Sequence, residues 1–350
     1  MQTINFRTAT PSQVNIYTPD GIGAALLGYD AQLAKYPGIA QKWDVPLPVP
    51  EDLLLDFGSF LEKYNLTVMA PLAYEYNQGL GNILAQPTMY VMKYFDRQIL
   101  HDILYSGFVV NGLSNNQLLY DRAQAELGSD VFLESKVIKV KRHDSGVEVR
   151  LRTLNGSKII QAKAILLAIP PQVSNLGFLD LGEDERQSFS QFNNSYYWDA
   201  ILRNSGIPGN TSLQNVDPSA PMNIPAAPMI YEITATGLDN THSLHYSSDR
   251  YMSTDDVKDD ILQTVAHLRK GLNYTTAANT STVIVEIHDH SPFELTVSKQ
   301  AVRNGFYDQL QALQGKQNTW WAGTTWNKHA TAQLLNFTEH EVLPNLLAAL

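Results

Sequence analysis

His288-Asp289-His290 sets two imidazoles two residues apart, so in an extended strand both face the same side. Such a pair can ligate a metal, but the sequence places no third histidine or carboxylate beside it, and the chain has no cysteine. No metal site is expected, and a strand-end histidine lining a pocket is the better reading. Other chemistry-bearing patterns are missing: no Gly-x-Ser-x-Gly elbow, Walker A loop, His-Glu-x-x-His or Gly-x-Gly-x-x-Gly occurs. Gly21-Ile-Gly23 opens a helix, but Leu26 stands where a third glycine belongs and no strand leads into it. Aromatic clustering is more informative. Tyr74, Tyr76, Tyr90, Tyr94 and Phe95 fall in one region, Tyr196-Tyr197-Trp198 in another, and Trp320, Trp321 and Trp326 surround Gly323. Walls of this kind bind large apolar ligands, although any single aromatic is more often core.

These residues need elements to hold them. The first 128 residues read as helical after a short extended start, with helices over 21–36, 51–64 and from Pro87 to about Tyr105. Ser114 caps a further helix with Leu118, Leu119, Ala123 and Leu127 inward, closed by Gly128. The period then falls from 3.6 to 2. Val131–Val140, Val147–Leu151 and Lys158–Lys163 form a three-stranded meander, with Asn155-Gly156 as a hairpin turn. Ala164–Ile169 is apolar throughout, which suits a parallel strand buried on both faces. Strands follow at 195–202, 229–236, 282–290 and 319–325, with helices at 254–270 and 301–313 and a helical C-terminus. The stretch 204–228 reads as a long polar loop.

Composition narrows the function classes. The 350 residues carry a net charge of −10, which argues against a nucleic-acid partner. The most apolar run is far shorter than the about 18 residues of a membrane span. Seven Asn-x-Ser/Thr sequons occur, more than composition alone gives, yet the N-terminal residues lack an apolar signal region. The chain is read as cytoplasmic.

Several stretches together resemble the fungal flavin-containing amine oxidase family, in its branch similar to beta-cyclopiazonate dehydrogenase. They are Val45-Pro-Leu-Pro-Val-Pro-Glu-Asp-Leu-Leu54, 83–95, Ala168-Ile-Pro-Pro171, 191–198, 220–226 and Thr319-Trp-Trp-Ala-Gly-Thr-Thr-Trp326. The resemblance implies a mixed α/β fold in which a doubly wound FAD-binding domain accompanies a substrate domain. It assigns 1–128 and 183–300 to the substrate domain, and 129–182 (meander and return strand) with 301–350 to a remnant of the cofactor domain. It also implies that the Val137 backbone meets the adenine and that Gly323 lets the backbone approach the flavin.

Departures from the family pattern shape the expectation. Full members begin with a strand, a glycine-rich turn, a helix and a second strand with an acidic residue; here that unit is expected to be missing. The tail reads Trp326-Asn-Lys-His-Ala-Thr-Ala332, with Asn327 and Ala330 where relatives carry His and Asp. An adenylate half held at about 0.3 kcal/mol per atom is worth on the order of 7 kcal/mol, so its loss removes roughly five decades of affinity. No cofactor is therefore expected, and FAD belongs to the alternative. An apolar sheet edge should also be left for residues 1–20 or a second copy of the chain (a homodimer) to cover.

The function expected is that of a secondary-metabolism enzyme on an oxidase-like scaffold. It would catalyse a non-redox cyclisation (pericyclic, Diels–Alder-type) or isomerisation of a large apolar small molecule. An FAD-dependent oxidoreductase is the alternative, and a non-catalytic hydrophobic-metabolite binder the second. Tyr90, Tyr94, Tyr196, Trp198 and Trp326 are expected to bind substrate, with His290 or Tyr197 as the catalytic polar handle.

Overall fold

Alternation along 193–203 organises the first half of the architecture, because a strand of this length presents two distinct faces. In chain order the strands are β1 (Gln2–Asn5), β2 (Thr10–Pro11), β3 (Lys136–His143), β4 (Gly146–Thr153), β5 (Gly156–Ala162), β6 (Ile165–Leu167) and β7 (Asn193–Arg203). They continue as β8 (Leu213–Asn215), β9 (Met229–Ala235), β10 (Thr241–Ser248), β11 (Val283–Asp289), β12 (Phe293–Thr296) and β13 (Thr319–Trp321). The structure is a computed structural model that describes residues 1–105, 107–113, 115–274 and 281–350. It divides into two units. The first comprises Met1–Pro37, Pro46–Asp96 and Asn193–Gln300; the second comprises Gly38–Val45, Arg97–Phe192 and Ala301–Leu350. Segment 97–128, assigned from the sequence to the substrate part, clusters with the second unit.

The first unit is built on an eight-stranded sheet of order β11-β7-β10-β9-β8-β1-β2, with β12 also pairing with β7. Every pairing is antiparallel except β1 with β8. The helix Thr254–Gly271 packs Val257, Ile261, Val265 and Leu268 with Trp198, Ala200 and Leu202 from one sheet face. Ser253 caps this helix in a reciprocal capping box with Asp256. Acidic residues open the helix and Arg269 and Lys270 close it, as the macrodipole favours. On the opposite face lies the turn after the helix Ala70–Glu75. There Gly79 has φ +92°, and a Cβ would overlap the Phe293 ring, so only glycine fits.

In the second unit β3, β4 and β5 form the expected meander, and β6 pairs in parallel with β13. Arg142 ties the unit together. Its buried guanidinium donates to both Glu185 oxygens at 2.6 and 2.8 Å and to Asp180 Oδ1 at 2.8 Å. It also reaches Thr319 Oγ1 on β13 at 3.3 Å.

Several expectations are corrected. The helix read over 51–64 breaks into Glu51–Leu54 and Phe57–Lys63, because Leu55 O and Phe57 N bond instead to Thr88 N and Gln86 O, both at 2.9 Å. The long helix to Tyr105 splits into Thr88–Tyr94 and Arg97–Tyr105; between them Phe95 turns inward to stack on Tyr29, 5.6 Å between centroids. The helix read over 301–313 ends at Arg303 and restarts at Phe306, after Gly305 at φ +76°. Segment 204–228 is not all loop. It holds β8, whose polar Gln214 and Asn215 are buried by pairing rather than by apolar character. Within residues 1–20, β1 and β2 join this same sheet. The helix Gln117–Leu127 buries no residue, so Leu119, Ala123 and Leu127 do not point inward; Ser114 lies outside the described residues. Finally, β6 is parallel as read but not covered on both faces, since Leu166 is 40% exposed.

Candidate functional site

Pleating sends Ser195, Tyr197 and Asp199 of β7 to the sheet face opposite the long helix. On the neighbouring strand β10, His245 is the register partner of Asp199; on β9, Glu232 is the register partner of His245. Three adjacent strands therefore lay a Glu–His–Asp row across one face. His245 Nδ1 lies 3.1 Å from Glu232 Oε1 and 2.8 Å from Gln78 Oε1, and its Nε2 is 3.6 Å from Asp199 Oδ1. His290, just beyond β11, extends the row with Nε2 3.1 Å from Asp199 Oδ2.

Gln78 is the junction. Its Oε1 accepts from Tyr197 Oη at 3.1 Å, while its Nε2 donates to Glu75 Oε1 at 3.3 Å and Glu232 Oε1 at 3.4 Å. Gln214 Nε2 donates to the other Glu75 oxygen at 2.7 Å. Aromatic rings frame the row: Tyr197 stacks on Phe293 at 4.7 Å and lies 5.9 Å from the His245 ring. Tyr231 lies 5.0 Å from Tyr74 and accepts a hydrogen bond from Gly79 N.

The two glutamates differ in environment. Burial, and then the charge of Glu232, push Glu75 up to about 7. Glu232 is also desolvated, but the hydrogen bond and charge of His245 overcome this and hold it below its ordinary value. Burial opposes the His245 charge, yet the Glu232 hydrogen bond and the charges of Asp199, Glu232 and Glu75 raise its pKa. Neighbouring carboxyl groups thus hold opposite protonation preferences, the arrangement that separates an acid from a base.

Among the residues singled out from sequence, Tyr197 and His290 are brought together; their rings are 6.3 Å apart and His290 N donates to Tyr197 O at 2.9 Å. Tyr196 and Trp198 lie on the opposite face, where Trp198 is wholly buried against the long helix. Tyr90 is buried, its hydroxyl bonded to Val297 O and N, and Tyr94 is buried in the same helix. His288 turns to Glu286 at 3.5 Å rather than joining His290. Among the described residues no group of three or more His, Asp or Glu is placed to hold a metal. Sequence reasoning missed Glu75, Gln78, Asp199, Glu232 and His245. Asp199 was findable as the next residue on the Tyr197 face, whereas Glu75 comes from a distant helix.

In the second unit, Gly323 follows β13 with φ +104°, and a Cβ there would meet the Ala168 carbonyl carbon, just after β6, at 3.6 Å. This is the carboxyl edge of a parallel pair, where dinucleotides bind in open α/β sheets. Trp326 is wholly buried 5.8 Å from Trp321, and both indole Nε1 atoms lack an acceptor among the described residues. Val137 precedes a bulge on the outer strand of the meander. An edge strand leaves backbone groups free to pair outward. These residues offer a flavin nucleotide a bare backbone approach and unpaired indole donors, as the resemblance implies, while the outer edge of β3 is partly taken by the bridge from Val140 to Leu179.

Comparison with known proteins identifies the family. The model of flavin containing amine oxidoreductases matches residues 37–216. The FAD-dependent oxidoreductase oblC of Cochliobolus heterostrophus is 35% identical over 98% of this chain and 72% of its own length. The FAD-dependent oxidoreductase pigF of Monascus ruber is 35% identical over 96% of this chain and 74% of its own. Beta-cyclopiazonate dehydrogenase of Aspergillus oryzae is 31% identical over 87% and 66%. Among solved structures, a CLA-producing fatty acid isomerase from P. acnes has TM-score 0.74 at 18% identity, covering 98% of this chain and 79% of that one. Cyclohexylamine oxidase from Brevibacterium oxydans has TM-score 0.54 at 12% identity, covering 95% and 76%. These structural likenesses concern the fold alone. With the matched span and the fungal relatives in hand, the chain belongs to the enzyme family of flavin containing amine oxidoreductases.

Proposed function

We propose that the protein is an FAD-dependent oxidoreductase acting on a small molecule of fungal secondary metabolism. The substrate would lie on the first unit's sheet face beside Tyr197, Tyr231, His245 and Phe293. The observation that carries this reading is the Glu232–His245–Asp199 row, a proton-handling group set among aromatic rings. Residues of the second unit, Gly323 and Val137 with the free indole donors of Trp321 and Trp326, would hold the cofactor. When bound, the flavin supplies hydride acceptance. The chain's own residues would orient the substrate, hold His245 in one tautomer and keep a share of Glu75 protonated near neutral pH. This reverses the expectation of a colourless protein, because the relatives that match nearly the whole chain carry FAD-dependent names.

The test is the visible spectrum of the purified full chain. Flavin absorbance with FAD released by heat, and bleaching on anaerobic addition of a pathway intermediate, are the expected results. Flavin-free protein that still converts such an intermediate would reject the redox reading. A non-redox cyclisation or isomerisation would then stand in its place. It is favoured by the contrast between Glu75, a proton donor near pH 7, and the ionised Glu232 beside it.

A further inference from the structure

His245 Nδ1 faces two acceptors, Glu232 Oε1 and Gln78 Oε1, so the hydrogen of the neutral ring belongs on Nδ1. The Gln78 orientation is set independently, because its amide nitrogen must serve Glu75 and Glu232 while its oxygen accepts from Tyr197. Nε2 of neutral His245 is then a bare lone pair, and the atom nearest it on β7 is another acceptor. Asp199 Oδ1 is buried and makes no hydrogen bond among the described residues. Two acceptors 3.6 Å apart cannot bond to each other. One added proton resolves both deficits: on Nε2 it supplies the donor that Asp199 Oδ1 lacks and leaves the imidazolium between two carboxylates. An unsatisfied buried oxygen beside an unprotonated base is a vacancy for a proton. The other oxygen of Asp199 contacts His290, whose side chain is 44% exposed and reaches solvent.

We infer that Glu232, His245, Asp199 and His290 form a proton ladder across the sheet, in which His245 Nε2 takes a proton from a hydroxyl or amine of the bound molecule and His290 hands it to solvent. This rests on the reading that the sheet face holds the substrate. No electrons are transferred: the X–H bond breaks, an N–H bond forms on His245 Nε2 and the electron pair stays on X; that N–H bond then breaks as the Asp199 carboxylate takes the proton, which passes from it to His290 Nε2 and on to water. The row is encoded by register, since Glu232, His245 and Asp199 are direct cross-strand partners. Other titratable groups face it. Glu75 comes from the helix Ala70–Glu75, Tyr17 from the N-terminal segment and Tyr197 from β7, with Tyr76 beside Tyr17 and Glu294 of β12 acting on Tyr197 behind them. Glu75 adds to the negative potential at His245, and protonating it weakens that attraction.

The test uses nitrogen-15-labelled histidine in the full chain, read by NMR across a pH titration. Neutral His245 is expected as the Nδ1–H tautomer. Asp199→Asn should lower its midpoint by about one pH unit, a tenfold loss of proton affinity. His290→Gln should slow solvent exchange of the His245 ring proton about tenfold while leaving the folded spectrum intact, an effect that a purely structural contact would not produce. An Nε2–H tautomer, an unmoved midpoint in Asp199→Asn or unchanged exchange in His290→Gln each overturns the ladder. The flavin spectrum is scored separately. Flavin-free protein with coupled histidines rejects the redox reading alone; a flavoprotein with uncoupled histidines rejects the ladder alone.

Discussion

Glu75 carries a pH signature of its own. Burial and the charge of Glu232 raise its carboxyl from 4.5 to about 7, so the folded chain holds this proton more tightly than the unfolded chain does. Between these two values the native state binds more protons, and stability falls as pH rises; above about 7 the contribution is gone, a change on the order of 3 kcal/mol. Glu75→Gln keeps the shape and removes the buried charge. It should be more stable than the parent by about 2–3 kcal/mol near pH 8.5 and by less than about 1 kcal/mol near pH 5, read by urea unfolding at both pH values. Gly79 supplies a steric counterpart. Gly79→Ala adds a methyl group that overlaps the Phe293 ring at a left-handed φ, and should lower stability by about 2–3 kcal/mol while disturbing the Tyr197–Phe293 stack. Near-ultraviolet circular dichroism would report that disturbance. Neither residue stood out in the sequence, because its significance lies in what a distant segment places beside it.

Arg142 dominates at the scale of elements. It joins β3 to the helix Glu183–Phe189, where Glu185 also accepts from Gly182 N at 2.8 Å and caps the first turn. Arg142→Ala would leave Glu185 buried without its cation, and should cost about 3–5 kcal/mol in a denaturant titration. Replacing both residues together with methionine should recover much of that loss, because the penalty comes from the unpaired charge and not from the missing pair. The strand of Arg142 was legible from its alternation, and so was the Asn155-Gly156 turn, where Gly156 adopts φ +105°. Helix breaks at Leu55 and Phe95 were not legible, since both arise from partners far along the chain.

Exposed apolar side chains are concentrated unevenly across the molecule. The second unit leaves Val109, Val110, Leu119, Tyr120, Leu133 and Leu347 open to solvent, whereas the first unit's sheet is well covered by its long helix. Exposed apolar side chains in this number offer sites for an apolar probe. The purified chain should therefore bind anilinonaphthalene sulfonate, and Leu119→Ser with Tyr120→Ser should reduce the dye fluorescence without shifting the melting temperature, because neither side chain contributes to a core. Unchanged fluorescence would place the dye elsewhere. No helix among the described residues is long and apolar enough to cross a membrane.

The sequence by itself determined the family, the meander and the parallel strand that follows it, and the helix over Thr254–Gly271 with its cap and charge order. Each is written in local period, turn chemistry or a contiguous motif, which neighbours in the chain can express. Only the tertiary structure decided which of the paired histidines lies against Asp199 and which carboxylates share that face. Strand register aligned Glu232, His245 and Asp199 across three strands, and a turn from another segment delivered Gln78 to join them. Register and burial are properties of paired strands, so no one segment could announce them.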